Sequence, residues 1–155
     1  ILALPLGGLA TQDSGTLTIR IDGFEDDSGQ AMVAVHQSAK TYLKRVEPYR
    51  RGIVKIHEGK AEAIFEGLPH GQYSVSVFHD KNANNDLDAL FGLIPKEDYG
   101  FSNNVRKKYG PPKFKDTLFA FDQPAMDLSI TLMSALKKGE APPDEATVKK
   151  LMGSN

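Results

Sequence analysis

The chain contains no cysteine, which excludes disulfides, thiolate zinc sites and cysteine nucleophiles. A chain without thiols suits passage through an oxidising space, where a stray thiol is a liability. Neither charge sign dominates: 19 Lys and Arg stand against 20 Asp and Glu, for a net charge of −1. A dedicated nucleic-acid binder carries a strong basic excess, so no nucleic-acid partner is expected. Basic residues do cluster at Lys44, Arg45, Arg50 and Arg51, and at Arg106, Lys107 and Lys108. Both clusters read as solvated loops rather than phosphate sites.

Catalytic signatures are as scarce. The four histidines, His36, His57, His70 and His79, do not stand at zinc-ligand spacings. No Gly-x-Ser-x-Gly elbow occurs. His79 beside Asp80 suggests a base, but neighbouring residues of a strand point to opposite faces. Packing, or a hydrogen bond at a strand end, is the plainer role. The expectation is a protein that is not an enzyme, with no catalytic residues. Internal repeats are missing, and so is a βαβ rhythm, which argues against a parallel α/β sheet.

What the sequence does have is a length of 155 residues with 40% hydrophobic and 25% charged residues, enough for one core without staples. Period-two alternation runs through most of it. Leu17, Ile19 and Ile21 alternate with Thr16, Thr18 and Arg20, the pattern of a half-buried strand. Ala31, Val33 and Val35 mark a second strand, Gln30–Gln37. A third is expected over Ile53–His57 and a fourth over Lys60–Glu66, with Ala61, Ala63 and Phe65 inward. Tyr73, Val75 and Val77 mark a fifth, joined to the fourth by the tight Gly67–Gly71 link as an antiparallel pair. Thr117–Phe121 and Asp127–Met133 complete the set. About seven short strands with turn signals between them make an all-β antiparallel sandwich. Two helices are also expected: a stretch from Ser38 to Val46, ended by Pro48, and a short C-terminal one capped by Asp144 and running through Leu151. The chain divides into an apolar segment 1–10, a β-sandwich domain 11–136 and a polar tail 137–155.

The segment Ile1–Leu9 (ILALPLGGL) is apolar and uncharged, and Gly8-x-Ala10 closes it like the end of a secretory signal peptide. With no initiator Met or basic region ahead of it, it reads as the remnant of a longer leader, the mature chain beginning near Thr11. It is too short to span a bilayer. The alternatives are a native first strand, or a donor strand that completes the sheet of a neighbouring copy.

Chemistry concentrates between Asp80 and Asp88 (DKNANNDLD). Asp80, Asn82, Asn84, Asp86 and Asp88 place oxygen-bearing side chains at positions 1, 3, 5, 7 and 9 of a loop. Calcium takes ~6–8 oxygen ligands, and EF-hand loops supply them at this spacing. Position 7 normally offers its backbone carbonyl, so Asp86 serves through that group. Asn85 stands where Gly usually makes a left-handed turn, and Asn is the next best residue there. Position 12, usually a bidentate Glu, is Phe91, so this is not an EF-hand; Glu97, Asp98 or a water is left to complete the set. The plain alternative is an Asx-rich turn without metal. The stretch from Asp80 to Lys115 otherwise reads as one long polar connection. Its Gly100–Asn104 side chains are expected to hydrogen-bond its own backbone. Its aromatics Tyr99, Phe101, Tyr109 and Phe114 are expected to pin it to the sandwich.

The run from Phe78 to Asp116 resembles the signature of a bacterial family, the domain of unknown function 2141 family. The matching pieces are His79–Asn84, Gly92–Pro95 with one inserted residue, Gly100–Asn104 (GFSNN) and Gly110–Phe114. The resemblance spans Thr16–Met133. It implies an exported protein of the bacterial envelope, periplasmic, outer-surface or extracellular, with an immunoglobulin-like or prealbumin-like sandwich. It implies no activity. Two functions are carried forward: a calcium-stabilised module that binds envelope glycan, lipid or protein, and a structural subunit that self-associates through Ile1–Leu9.

Overall fold

The structure, a computed structural model, describes residues 13–44, 46–107, 110–136 and 139–153. Segment 1–10 lies outside these residues, and with it the leader and donor-strand readings; so do Arg45, Lys108 and Tyr109.

Alternating residues build the two main sheets. Strand β1 (Ser14–Asp22) lies between β4 (Lys60–Pro69) and β10 (Ala125–Thr131) in one sheet. In the other, β2 (Gln30–His36) lies between β3 (Arg50–Val54) and β5 (Gly71–Asp80). Beyond β5 come β8 (Tyr99–Phe101) and β9 (Phe119–Phe121), each paired to a different part of β5. Leu17, Ile19 and Ile21 are buried from the first sheet; Ala31, Val33, Val35, Tyr73, Val75 and Val77 are buried from the second, and all belong to one apolar core. Full burial of a Leu or Ile side chain contributes roughly 1.5–3 kcal/mol, so this shared layer holds the sheets face to face. The protein is thus an all-β sandwich. Among the described residues all strand pairs are antiparallel except β1–β10, which is parallel with Ile19 opposite Leu128. A parallel pair needs a long connection, and here nearly the whole sandwich separates the two strands.

Several expectations change. The third strand begins at Arg50, not Ile53, and His57 forms only an isolated bridge to Lys60. The long connection is not all loop: it contains β8 and a hairpin of β6 (Ala89–Leu90) and β7 (Ile94–Pro95). Thr117 closes a single helical turn, α1 (Phe114–Thr117), rather than opening a strand. Ser38–Val46 is not a helix. Its described residues form turns, with Thr41 and Tyr42 donating to the Ser38 carbonyl, and Leu43 at φ 53° breaks the repeat. Tyr42 is what anchors it: the buried ring lies against His36, Phe101 and Phe114, and the hydroxyl donates to the Pro112 carbonyl at 3.1 Å. The helix α2 (Glu145–Met152) does form where the cap residue places it, Asp144 accepting from the Thr147 N–H at 2.7 Å. Its Val148 is fully buried.

The sheets are also stitched at one edge. Tyr99 and Met133 exchange backbone hydrogen bonds at 2.9 and 2.8 Å, linking β8 to the chain just after β10. Gly100 makes the approach possible, since a Cβ there would stand 2.7 Å from Ile130 Cγ2. Among the described residues no helix is long and apolar enough to cross a membrane.

Candidate metal centre

Strand alternation sends His79 and Asp80 to opposite faces. His79 faces the core, fully buried, its ring edge-on to Phe24 and its Nε2 2.7 Å from the Ser28 carbonyl. It packs and hydrogen-bonds at a strand end. Asp80, also fully buried, ends β5 and starts the loop.

Asp80 organises that loop. Its Oδ1 accepts the Asn84 N–H at 3.0 Å, and its Oδ2 accepts the Asn85 N–H and the Gln30 side-chain amide, both at 2.8 Å. Asn85 adopts φ 63°, the left-handed turn that its position demands. Asn82 and Asn84 each accept, through Oδ1, the N–H two residues ahead, at 3.2 and 2.9 Å. These are Asx turns, in which a side-chain oxygen stands in for a backbone acceptor. The two Nδ2 groups point to Asp88, from Asn82 at 2.8 Å and from Asn84 at 3.3 and 3.4 Å. Asp86 turns back on its own segment, Oδ1 accepting the Leu87 N–H at 3.0 Å.

Glu97 closes the ring. It is one of the two residues, beside a water, left open for the final ligand, and β7 leads into it beneath the loop. Its carboxylate accepts the N–H of Lys81 at 2.9 Å and of Asp88 at 3.2 Å. Burial pushes its pKa up, and the nearby Asp88 and Asp80 carboxylates add to the rise; the two backbone N–H groups oppose it. Asp98 instead offers its carbonyl to the His79 N–H. A second approach passes through Gly29, at φ 64°, where a Cβ would stand 2.0 Å from the Asp80 carbonyl oxygen. Lys81 reaches across to Glu25, whose carboxylate raises the lysine's pKa by a direct hydrogen bond.

The loop thus gathers Asp80, Asn82, Asn84, Asp88 and Glu97, with Asp86 turned to the backbone. Among the described residues no group of three or more His, Asp or Glu side chains is arranged to hold a metal ion by itself. A cation here needs amide and carbonyl oxygens as well, which hard ions such as calcium accept.

The GFSNN segment binds its own fold. Ser102, fully buried, accepts the Val75 N–H at 2.9 Å and donates to the Thr117 carbonyl. Asn103 donates to the Leu118 carbonyl at 2.8 Å. Asn104 completes the free edge of β10, accepting from the Thr131 N–H at 2.9 Å and donating to the Ser129 carbonyl at 3.2 Å. Sequence reasoning missed Gln30, whose contact with Asp80 spans 50 positions, and it had no local pattern to reveal it.

No curated protein and no solved structure matches the chain. A family model described as an uncharacterized protein conserved in bacteria (DUF2141) matches residues 19–129, more than half of the chain, and this protein belongs to that family.

Proposed function

We propose that this protein is an exported, non-catalytic binding module whose sandwich is stabilised by calcium held between Asp80 and Asp88. The carrying observation is a loop that brings together three carboxylates, Asp80, Asp88 and Glu97: burial raises the Glu97 pKa, and the charges of Asp88 and Asp80 add to the rise. Two of them are buried. Packing like charges together is unfavourable, and a bound cation reverses the sign of that interaction. Calcium would take the place of the Asn82 and Asn84 amide N–H groups as the positive partner of Asp88, with Asp86 contributing its backbone carbonyl. With few carboxylates and no position-12 Glu, the affinity belongs near the ~10⁻⁴–10⁻³ M of extracellular modules.

Export is supported by the apolar segment 1–9, by the Gly8-x-Ala10 pattern that closes it, and by the lack of thiols. Isothermal titration with calcium, set against magnesium, tests the reading. Saturable heat at millimolar calcium that disappears in Asp88→Asn supports it; no heat beyond dilution removes it.

A further inference from the structure

The hairpin that follows the loop has no place in the core. Residues Ala89 to Pro95 (ALFGLIP) are seven consecutive apolar residues, and not one of them is buried. Phe91, Gly92 and Leu93 at its tip are exposed and the four residues flanking them are half-buried, and clustered exposed apolar side chains mark a surface that meets something. The hairpin forms a two-stranded sheet of its own, hydrogen-bonded through its strands to neither main sheet. Its turn carries Phe91 at φ 52° and Gly92 at φ 68°. A bulky residue in the left-handed region is unusual, and here it also holds its ring in solvent, 47% exposed, beside Leu93 at 39%. Among the described residues Phe91 makes no ring contact. At the base the hairpin is held firmly, Lys96 donating to the Asp88 carbonyl at 2.8 Å and Glu97 pinning the loop.

We propose that this hairpin is a membrane-docking element, inserting Phe91 and Leu93 into the interface of a phospholipid bilayer. Size selects the partner. A stable protein interface takes about 20–30 residues from each side, and a narrow tip of seven residues offers far less. A few apolar side chains do suffice for weak, reversible attachment to a lipid surface. The exposed Lys96 follows at the base, where an ammonium sits well at headgroup level. The inference names the partner of the binding-module reading and rests on that reading, but not on its cation.

The chain has no tryptophan, so Phe91→Trp places a single reporter at the tip. The experiment uses sedimentation with vesicles of phosphatidylcholine containing phosphatidylglycerol, in chelator, so that calcium binding is judged separately by titration. The protein is expected to pellet with the vesicles, and Phe91→Trp emission is expected to shift to the blue. Phe91→Ser combined with Leu93→Ser should lower the partition about tenfold or more, with an unchanged melting curve because both side chains are exposed. The proposal is overturned if the protein stays in the supernatant, if the double variant pellets equally well, or if the emission does not move at excess lipid. Concentration-dependent self-association that the double variant abolishes, without vesicle binding, overturns it in favour of a second copy as the occupant.

Discussion

Glu97 accepts the backbone N–H of Asp88 at 3.2 Å with one carboxylate oxygen, while its other oxygen accepts that of Lys81 at 2.9 Å. One buried side chain therefore ties the two ends of the loop together. Leaving a buried donor unsatisfied costs about 1–3 kcal/mol. Glu97→Ala should therefore destabilise the protein by about 2–4 kcal/mol in urea denaturation, and Glu97→Gln, which keeps one acceptor, by less. An alanine variant as stable as the unmodified protein would mean that Glu97 does not support the loop.

Gly29 is the second support. Its positive φ and its contact with the Asp80 carbonyl leave no room for a methyl group. Gly29→Ala should cost about 2–4 kcal/mol, combining backbone strain with overpacking, and should loosen the loop enough to speed proteolysis near Asn85. A loss within the ~0.5 kcal/mol of an ordinary surface change would contradict the packing.

His36 sets a pH limit on the other end of the sheet. It is buried, with its Nε2 3.0 Å from Ser76 Oγ, its ring edge-on to Tyr42, and its Nδ1 without a hydrogen-bond partner among the described residues. Burial lowers its pKa from 6.5 to about 4. The unfolded chain therefore takes up a proton that the folded chain refuses, so stability present above pH 6.5 is lost as pH falls toward 4. Melting curves across that window should fall more steeply for the unmodified protein than for His36→Gln. Parallel curves would show that His36 does not carry the effect.

The sandwich was legible because half-buried strands write their period into the sequence. Leu17, Ile19 and Ile21, or Tyr73, Val75 and Val77, needed no tertiary knowledge. The asparagines of GFSNN were readable as backbone partners but not as to which backbone: the expectation was their own long connection, whereas Asn103 donates to the Leu118 carbonyl and Asn104 meets the edge of β10. The parallel pairing of β1 with β10 was not legible: alternation fixes which face is buried but not which strand lies alongside. Ser38–Val46 misled because helical spacing of Tyr42 and Val46 marks an apolar contact without fixing the backbone, and Tyr42 finds its contact from a turn. In the candidate site the Asx alternation was visible, whereas Gln30 and the exact place of Glu97 depend on contacts across the fold.

The same contacts change how the cation reading is tested. From the sequence, Asp80→Ala would remove the first ligand and leave the sandwich intact. In the structure Asp80 is buried and accepts from Asn84, Asn85 and Gln30, so that variant should itself lose about 2–4 kcal/mol, by leaving these groups without an acceptor. Asp88→Asn is the cleaner probe. Its side chain is less buried, and among the described residues its carboxylate accepts from the side-chain amides of Asn82 and Asn84 rather than from backbone N–H groups.

The most direct measurement is the melting temperature of the unmodified protein and of Asp88→Asn, titrated with calcium and returned to chelator. A ligand that binds only the folded state raises stability by mass action, by about 1.4 kcal/mol for each tenfold of concentration above its dissociation constant. The account predicts a reversible rise in the unmodified protein over the millimolar range and a flat response in Asp88→Asn. A melting temperature unmoved by calcium in the unmodified protein would contradict it and leave Asp80–Asp88 as an Asx-rich turn closed by its own hydrogen bonds.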